Sequence, residues 1–245
     1  YYAFTDKTGA FTLNNVKELG STSYLDIFTR SLCFALAATA ICLLVAYPLA
    51  YAISRAKPRS QKICIMLTML PMWMNFLIRT YSIMAILEDT GFLNSLLGRI
   101  GLPPLHIINT GGAVIFGMVY NYLPYMVLPI YTVLSKLDNR LLEASADLGC
   151  TPMQTFFKVV MPLSRSGVVS GVTMVFVPSV STFYISQKLG GGKFQLIGDV
   201  IERQFQSAYN YNLGAAMSLV LMVLILLSLA VMNRYSDEEE GGLVA

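Results

Sequence analysis

The chain has 245 residues, 55% of them hydrophobic and only 13% charged, about half the charge of an ordinary soluble domain. This composition excludes a soluble globular protein and points to the membrane. The 17 Lys and Arg exceed the 14 Asp and Glu by three, too small a surplus to argue for nucleic acid as a partner. Cys33, Cys42, Cys64 and Cys150 form no CxxC pair, and the single His106 cannot complete a Cys/His metal set.

Residues 1–30 contain no apolar run. Five runs of about 20 apolar residues follow, at 31–53, 63–87, 113–135, 166–187 and 213–233, each long enough to cross a bilayer. Behind the first run, Arg55, Lys57, Arg59 and Lys62 fall within ten residues, which places that segment in the cytoplasm by the positive-inside rule. Alternation then puts 88–112 outside with one Arg, and 136–165 inside with four basic residues. The last run ends inside, and 234–245 is polar enough to read as a disordered cytoplasmic tail. An extracytoplasmic N-terminal segment with nothing to carry it across, and a first residue that is Tyr1, suggest six crossings with an upstream span missing. The alternative is five spans with a translocated tail.

In the second run, taken as one helix at 100° per residue, Thr68, Asn75, Arg79 and Ser82 fall within an arc of about 60°, with Pro71 beside it and Trp73 facing away. Such a stripe is expected to face a cavity or a subunit interface. Arg79 could instead snorkel to the outer interface. Tyr120, Asn121, Tyr122, Tyr125 and Tyr131 crowd the third run, and Thr182, Tyr184 and Ser186 the fourth. Aromatic faces attract ammonium groups, but tyrosines also form interfacial belts and pack bundle cores. Pro48, Pro71, Pro124, Pro129 and Pro178 lie inside the runs, where each can kink a helix.

The inside loop reads as two capped helices. Asp138 suits an N-cap and Leu137 a staple to Leu142; Gly149 fits a left-handed C′ position. Thr151 and Gln154 make a capping box around Pro152, and Phe156, Phe157, Val159 and Val160 form an apolar face that Pro162 limits. Both helices are too short to span. They suit either an interfacial pair on the headgroups or a docking surface for a cytosolic partner. Further on, Gly190-Gly191-Gly192-Lys193 lacks the P-loop spacing and reads as a turn. Residues 196–207 suit an amphipathic helix at the outer surface, with Ile197, Val200, Ile201 and Phe205 on one face and Asp199, Glu202 and Arg203 on others. With Glu88 and Asp89, these carboxylates would favour a cationic substrate or dock a binding protein.

Glu143-Ala144-Ser145, then Gly149, then Met161-Pro162, in a cytoplasmic loop before the last two spans, resembles the EAA loop of permease subunits of type I ATP-binding-cassette importers. Ser145 stands for the second Ala and Met161 for a Leu or Ile. FTLNNVKEL, LPMWMNFLIRTYS, DNRLLEASADLG and FYISQKLGGGKFQLIGDVIERQF extend the resemblance over nearly the whole chain, to spermidine/putrescine importer permeases of the B type.

This resemblance implies an all-α, polytopic membrane helical bundle in the bacterial cytoplasmic (inner) membrane, carrying polyamines and holding no cofactor or catalytic group itself. It implies a second permease subunit, a homodimeric ATPase subunit that binds ATP and magnesium, and an extracytoplasmic polyamine-binding protein. Glu143, Ala144, Gly149, Phe156, Phe157 and Pro162 would couple to the ATPase. Thr68, Asn75, Arg79, Ser82, Tyr120, Tyr122, Tyr184 and Asp199 are the candidates for the translocation path. A permease for another small solute stays open. An intramembrane enzyme is disfavoured by the lack of a His cluster or intramembrane Lys, and an ion-gradient transporter by the lack of a repeat.

Overall fold

The computed structural model describes residues 2–5 and 10–242. Among them the order is a 3₁₀ turn at Tyr2–Phe4, α1 (Asn14–Glu18), α2 (Thr22–Ser54), α3 (Pro58–Met69), a 3₁₀ turn at Leu70–Trp73, α4 (Phe76–Leu87), α5 (Phe92–Arg99) and α6 (Gly111–Leu134). Then follow α7 (Asn139–Asp147), α8 (Pro152–Thr155), a π-helical turn (Phe156–Val160), α9 (Met161–Leu163), α10 (Arg165–Ser181), α11 (Tyr184–Leu189), α12 (Ile197–Gln206) and α13 (Tyr211–Gly242). Among the described residues three helices, Thr22–Ser54, Gly111–Leu134 and Tyr211–Met232, are long and apolar enough to cross a membrane; two bent helix pairs, each counted as one span, bring the candidates to five.

One of those pairs corrects a sequence expectation. The second apolar run is not one helix: α3 ends at Met69, the chain passes through the Leu70–Trp73 turn, and α4 begins after Asn75. Pro71 cannot donate to the ladder, and Asn75 caps the new helix by accepting from the Leu77 N–H at 2.8 Å. The 100° count therefore does not carry from Thr68 to Arg79. At the other end of the chain, the backbone of 234–242 continues α13 where composition suggested disorder; its Asp-Glu-Glu-Glu run is compatible with a helix, since Glu is a good helix former. Residues 243–245 lie outside the described residues.

The chain divides into two compact units. Unit 1 comprises Tyr1–Ala38, Met74–Asn121 and Phe176–Ser228. Its core joins Ala3, Leu19 and Ala35 to Phe176, Val180, Ile197, Val200, Leu213 and Met217. Ser31 of α2 accepts from the Ile197 N–H at 2.7 Å, which fixes the start of α12.

Unit 2 comprises Thr39–Trp73, Tyr122–Val175 and Leu229–Ala245. Here α10 lies against α6 through Gly167 and Gly171. A Cβ on Gly171 would sit 2.8 Å from the Met126 sulfur, and one on Gly167 would sit 2.9 Å from the Pro129 carbonyl oxygen. This G-x-x-x-G pair replaces bulk with close backbone approach, a common way for membrane helices to associate where apolar burial gives no drive.

Candidate functional site

In unit 2 the cytoplasmic loop forms the expected helical hairpin. Asp138 caps α7 by accepting from the Arg140 N–H at 3.0 Å. The helix closes in a Schellman turn: the Cys150 N–H bonds the Ser145 carbonyl at 3.0 Å and the Gly149 N–H bonds the Ala146 carbonyl at 2.8 Å. Gly149 has φ +80°, a conformation any side chain would strain. The Thr151–Gln154 capping box is present in both directions, at 2.9 and 3.3 Å. Ser145, the residue in place of alanine, is buried and bonds the Thr155 hydroxyl at 2.8 Å, so it ties the two arms together.

The second arm ends one residue past Pro162, at Leu163. It runs through α8 and the π turn into α9, then bends by 66° into α10. Pro162 has no N–H for the Lys158 carbonyl, and the turn before it widens so that the Met161 N–H reaches the Phe156 carbonyl five residues back. The two adjacent phenylalanines of this turn touch edge-on, ring centres 5.2 Å apart. Phe156 packs edge-on against Tyr47 and Tyr51, each centroid 5.5 Å away, while Phe157 is 54% exposed. At the bend the buried Ser164 hydroxyl meets the Tyr47 hydroxyl at 2.6 Å. Arg55 at the end of α2 donates to Asn139 at 2.6 Å. Both arms are thus fastened to α2, and their tip presents exposed Leu148 and Met153, 85% and 67% accessible, with Glu143 and Ala144 exposed alongside.

Unit 1 holds most of the candidates for a path. Asn75 is spent as a helix cap. Arg79 is buried, with its guanidinium 6.0 Å from the Phe76 ring centre. Arg79, Ser82 and Tyr120 line one cavity of about 450 Å³, whose other walls include Ile83, Ile86 and Phe116. In α4 and α11, Tyr81 and Tyr184 meet edge-to-face at 6.0 Å, and the Lys188 ammonium lies 5.2 Å from one ring centre and 5.7 Å from the other. Tyr81 and Lys188 were not singled out from the sequence, because their meeting depends on how α4 packs against α11. In unit 2, Thr68 bonds its own helix at the Cys64 carbonyl, and Tyr122 is buried against Tyr125.

Asp199 departs from its expected setting. It is 9% exposed and does not look outward. One oxygen accepts from the Leu196 N–H at 2.8 Å, the carboxylate reaching back over the first turn of α12, and the other from the Ser186 hydroxyl at 2.9 Å. Burial pushes its pKa up to about 6, against the pull of those donors. Glu202, one turn on, accepts from Gln187 at 3.0 Å. Gln187, Asp199, Glu202 and Arg203 line a pocket of about 210 Å³. Among the described residues no group of three His, Cys, Asp or Glu side chains is placed to hold a metal ion.

A family model described as "Binding-protein-dependent transport system inner membrane component" matches residues 46–238. The chain belongs to this family of permeases. It is 40% identical over 236 residues to the spermidine/putrescine transport system permease protein PotB of Haemophilus influenzae, covering 96% of this chain and 81% of that one. To PotB of Escherichia coli K12 it is 39% identical, covering 92% and 83%. To the inner membrane ABC transporter permease protein YdcU of E. coli K12 it is 32% identical, covering 96% and 80%.

Among solved structures, the permease superposes on a chain of a bacterial alginate ABC transporter with TM-score 0.73 at 15% identity, covering 93% of this chain and 83% of that chain. On a chain of the MetNI methionine ABC transporter the TM-score is 0.59 at 16% identity, with 87% and 93% covered. The fold is therefore that of an importer permease. The permease is a multi-pass protein of the bacterial inner membrane, and the family match spans the whole hairpin 138–163.

Proposed function

We propose that this permease is one membrane subunit of an ATP-driven polyamine importer, and that its hairpin receives the stroke of a separate ATPase subunit. The observation that carries the coupling role is the hairpin tip. Leu148 and Met153 are exposed on a segment that charge places in the cytoplasm, where apolar side chains at one tip call for a protein partner. Glu143 and Ala144 flank that tip, and Gly149 sets the angle between the arms. A push on the tip reaches α2 through Phe156 against Tyr47 and Tyr51, through Ser164 and through Arg55. Pro162 supports this route by imposing the π turn that aims Phe156 inward.

Spermidine and putrescine as cargo are supported by the two PotB relatives at about 40% identity over most of both chains. In this reading ATP and magnesium are held by a homodimeric ATPase, a second, different permease completes the path, and an extracytoplasmic binding protein delivers the polyamine. Arg79, Ser82 and Tyr120 suit an inner surface of unit 1 that the second permease covers. Asp199 orders the outer helix α12, while Glu202 and the pocket beside it offer negative charge to an arriving cation. The test is ATP hydrolysis by the reconstituted complex, with the binding protein presenting spermidine or putrescine. Stimulation by either supports the assignment. No stimulation by either retires the polyamine cargo, and copurification of the ATPase with wild type but not with Glu143→Ala supports the coupling role independently.

A further inference from the structure

We propose that Tyr81 and Tyr184 form an ammonium-binding cage that the chain's own Lys188 occupies, and that an ammonium group of the substrate enters by displacing it. The proposal rests on the polyamine reading for the identity of the cargo.

Tyr184 and Lys188 are four residues apart on α11 and so share a face. Tyr81 comes to that face from α4, its ring nearly perpendicular to that of Tyr184 at 82°. Phe76, one and a half turns earlier on α4, adds a third ring 6.0 Å from Tyr184. The Lys188 nitrogen lies within about 6 Å of both tyrosine ring centres, the range of a cation–π contact. Among the described residues no carboxylate forms an ion pair with it. Its charge is met instead by the two tyrosines, through their rings and the Tyr81 hydroxyl.

This is an unusual way to house a lysine and a suitable way to house a passing amine. Each ring face contributes modestly, so the occupant is held without the deep trap that a buried carboxylate would set. A primary alkylammonium on a flexible stem is also the chemical group found at the end of a polyamine, so Lys188 stands in for the cargo and competes with it. Tyr81 is 47% exposed and Lys188 half-buried, which leaves the cage open to exchange.

The experiment measures equilibrium binding of radiolabelled spermidine, and separately of n-butylammonium, to the whole importer in nanodiscs without the binding protein. Removing the tethered competitor by Lys188→Met should tighten binding about 3- to 10-fold, the scale of one or two ring contacts. Lys188→Gln, a milder neutral change, should do the same, and Lys188→Arg should leave affinity near wild type. Adding Tyr81→Leu or Tyr184→Leu to Lys188→Met should erase the gain, while Tyr81→Phe should keep it. The proposal is overturned if both neutral variants bind no tighter than wild type, or if the gain survives loss of both rings. A gain for n-butylammonium with none for spermidine upholds the cage and counts against the polyamine cargo instead.

Discussion

Two amphipathic helices interrupt the membrane-spanning part of this permease, and they end in opposite states. The helix α12 is complete within its own unit: Ile197 and Val200 are buried in the core of unit 1, and Asp199 has both oxygens engaged, by Leu196 and Ser186. The hairpin beginning with α7 is complete only in its backbone. Its caps, its Schellman turn and the Ser145–Thr155 bond are all made, yet Leu148, Met153 and Phe157 stand exposed. A short amphipathic helix alone does not say whether its partner lies in the same chain. The difference lies in where the apolar side chains go once the polar atoms are satisfied.

That contrast can be broken most forcefully at the hairpin tip. Leu148→Asp with Met153→Asp should cost the ATPase contact about 2 kcal/mol or more, roughly a 30-fold loss of affinity, read as loss of the copurifying ATPase with the permease still at wild-type level in the membrane. If the ATPase stays bound, the hairpin is as self-contained as α12. At α12 the reverse holds. Asp199→Ala leaves the buried Leu196 N–H without its acceptor, while the Ser186 hydroxyl keeps the Phe183 carbonyl at 2.7 Å, and should destabilise unit 1 by about 1–3 kcal/mol, seen as a lower melting temperature of the purified permease whether or not the ATPase is present.

The same residue gives a pH signature. Its folded pKa of about 6 lies above the ordinary 3.8, so the fold favours the neutral acid. The resulting stabilisation is complete below the ordinary value and is lost as pH rises through about 6. Melting temperature should therefore fall between pH 4 and pH 7 in wild type more than in Asp199→Asn, and equal slopes would show that Asp199 does not titrate in this window. Smaller effects sharpen the hairpin side. Gly149→Ala should cost about 1–2 kcal/mol through its positive φ and lower transport per ATP hydrolysed. Ser145→Ala and Tyr47→Phe should each cost about 1 kcal/mol, the second loosening the elbow at Ser164 while ATPase binding persists.

Much of the hairpin was legible in the sequence because its determinants are local. Asp138, Gly149, Thr151 and Gln154 each satisfy a backbone group or a φ within a few residues of themselves, and such signals survive without knowledge of the tertiary fold. The apolar runs were legible for the same reason. Local signals also existed where the reading failed. Pro71 and Asn75 together mark a helix break, but counting Thr68 to Ser82 on one ideal helix overrode them. Gly167 and Gly171 carry a readable spacing that only the contact with Met126 and Pro129 makes meaningful. The buried setting of Asp199 is not announced by the sequence, because Ser186 reaches it only through the packing of α11 against α12. The Tyr81–Tyr184–Lys188 cluster joins residues more than a hundred positions apart, and no periodicity links them.

The π turn at Phe156–Val160 amounts to a one-residue insertion in the phase of a helix. Tightening that turn to α geometry with every residue kept, as Pro162→Ala would allow, would rotate everything beyond it by about 100°. The tip would still be hydrophobic, but the face it offers and the face gripping α2 would no longer be in step. In the proposed coupling role, the phase between the two ends of the lever is set by this widened turn, and a permease without it should bind its ATPase and fail to hear it.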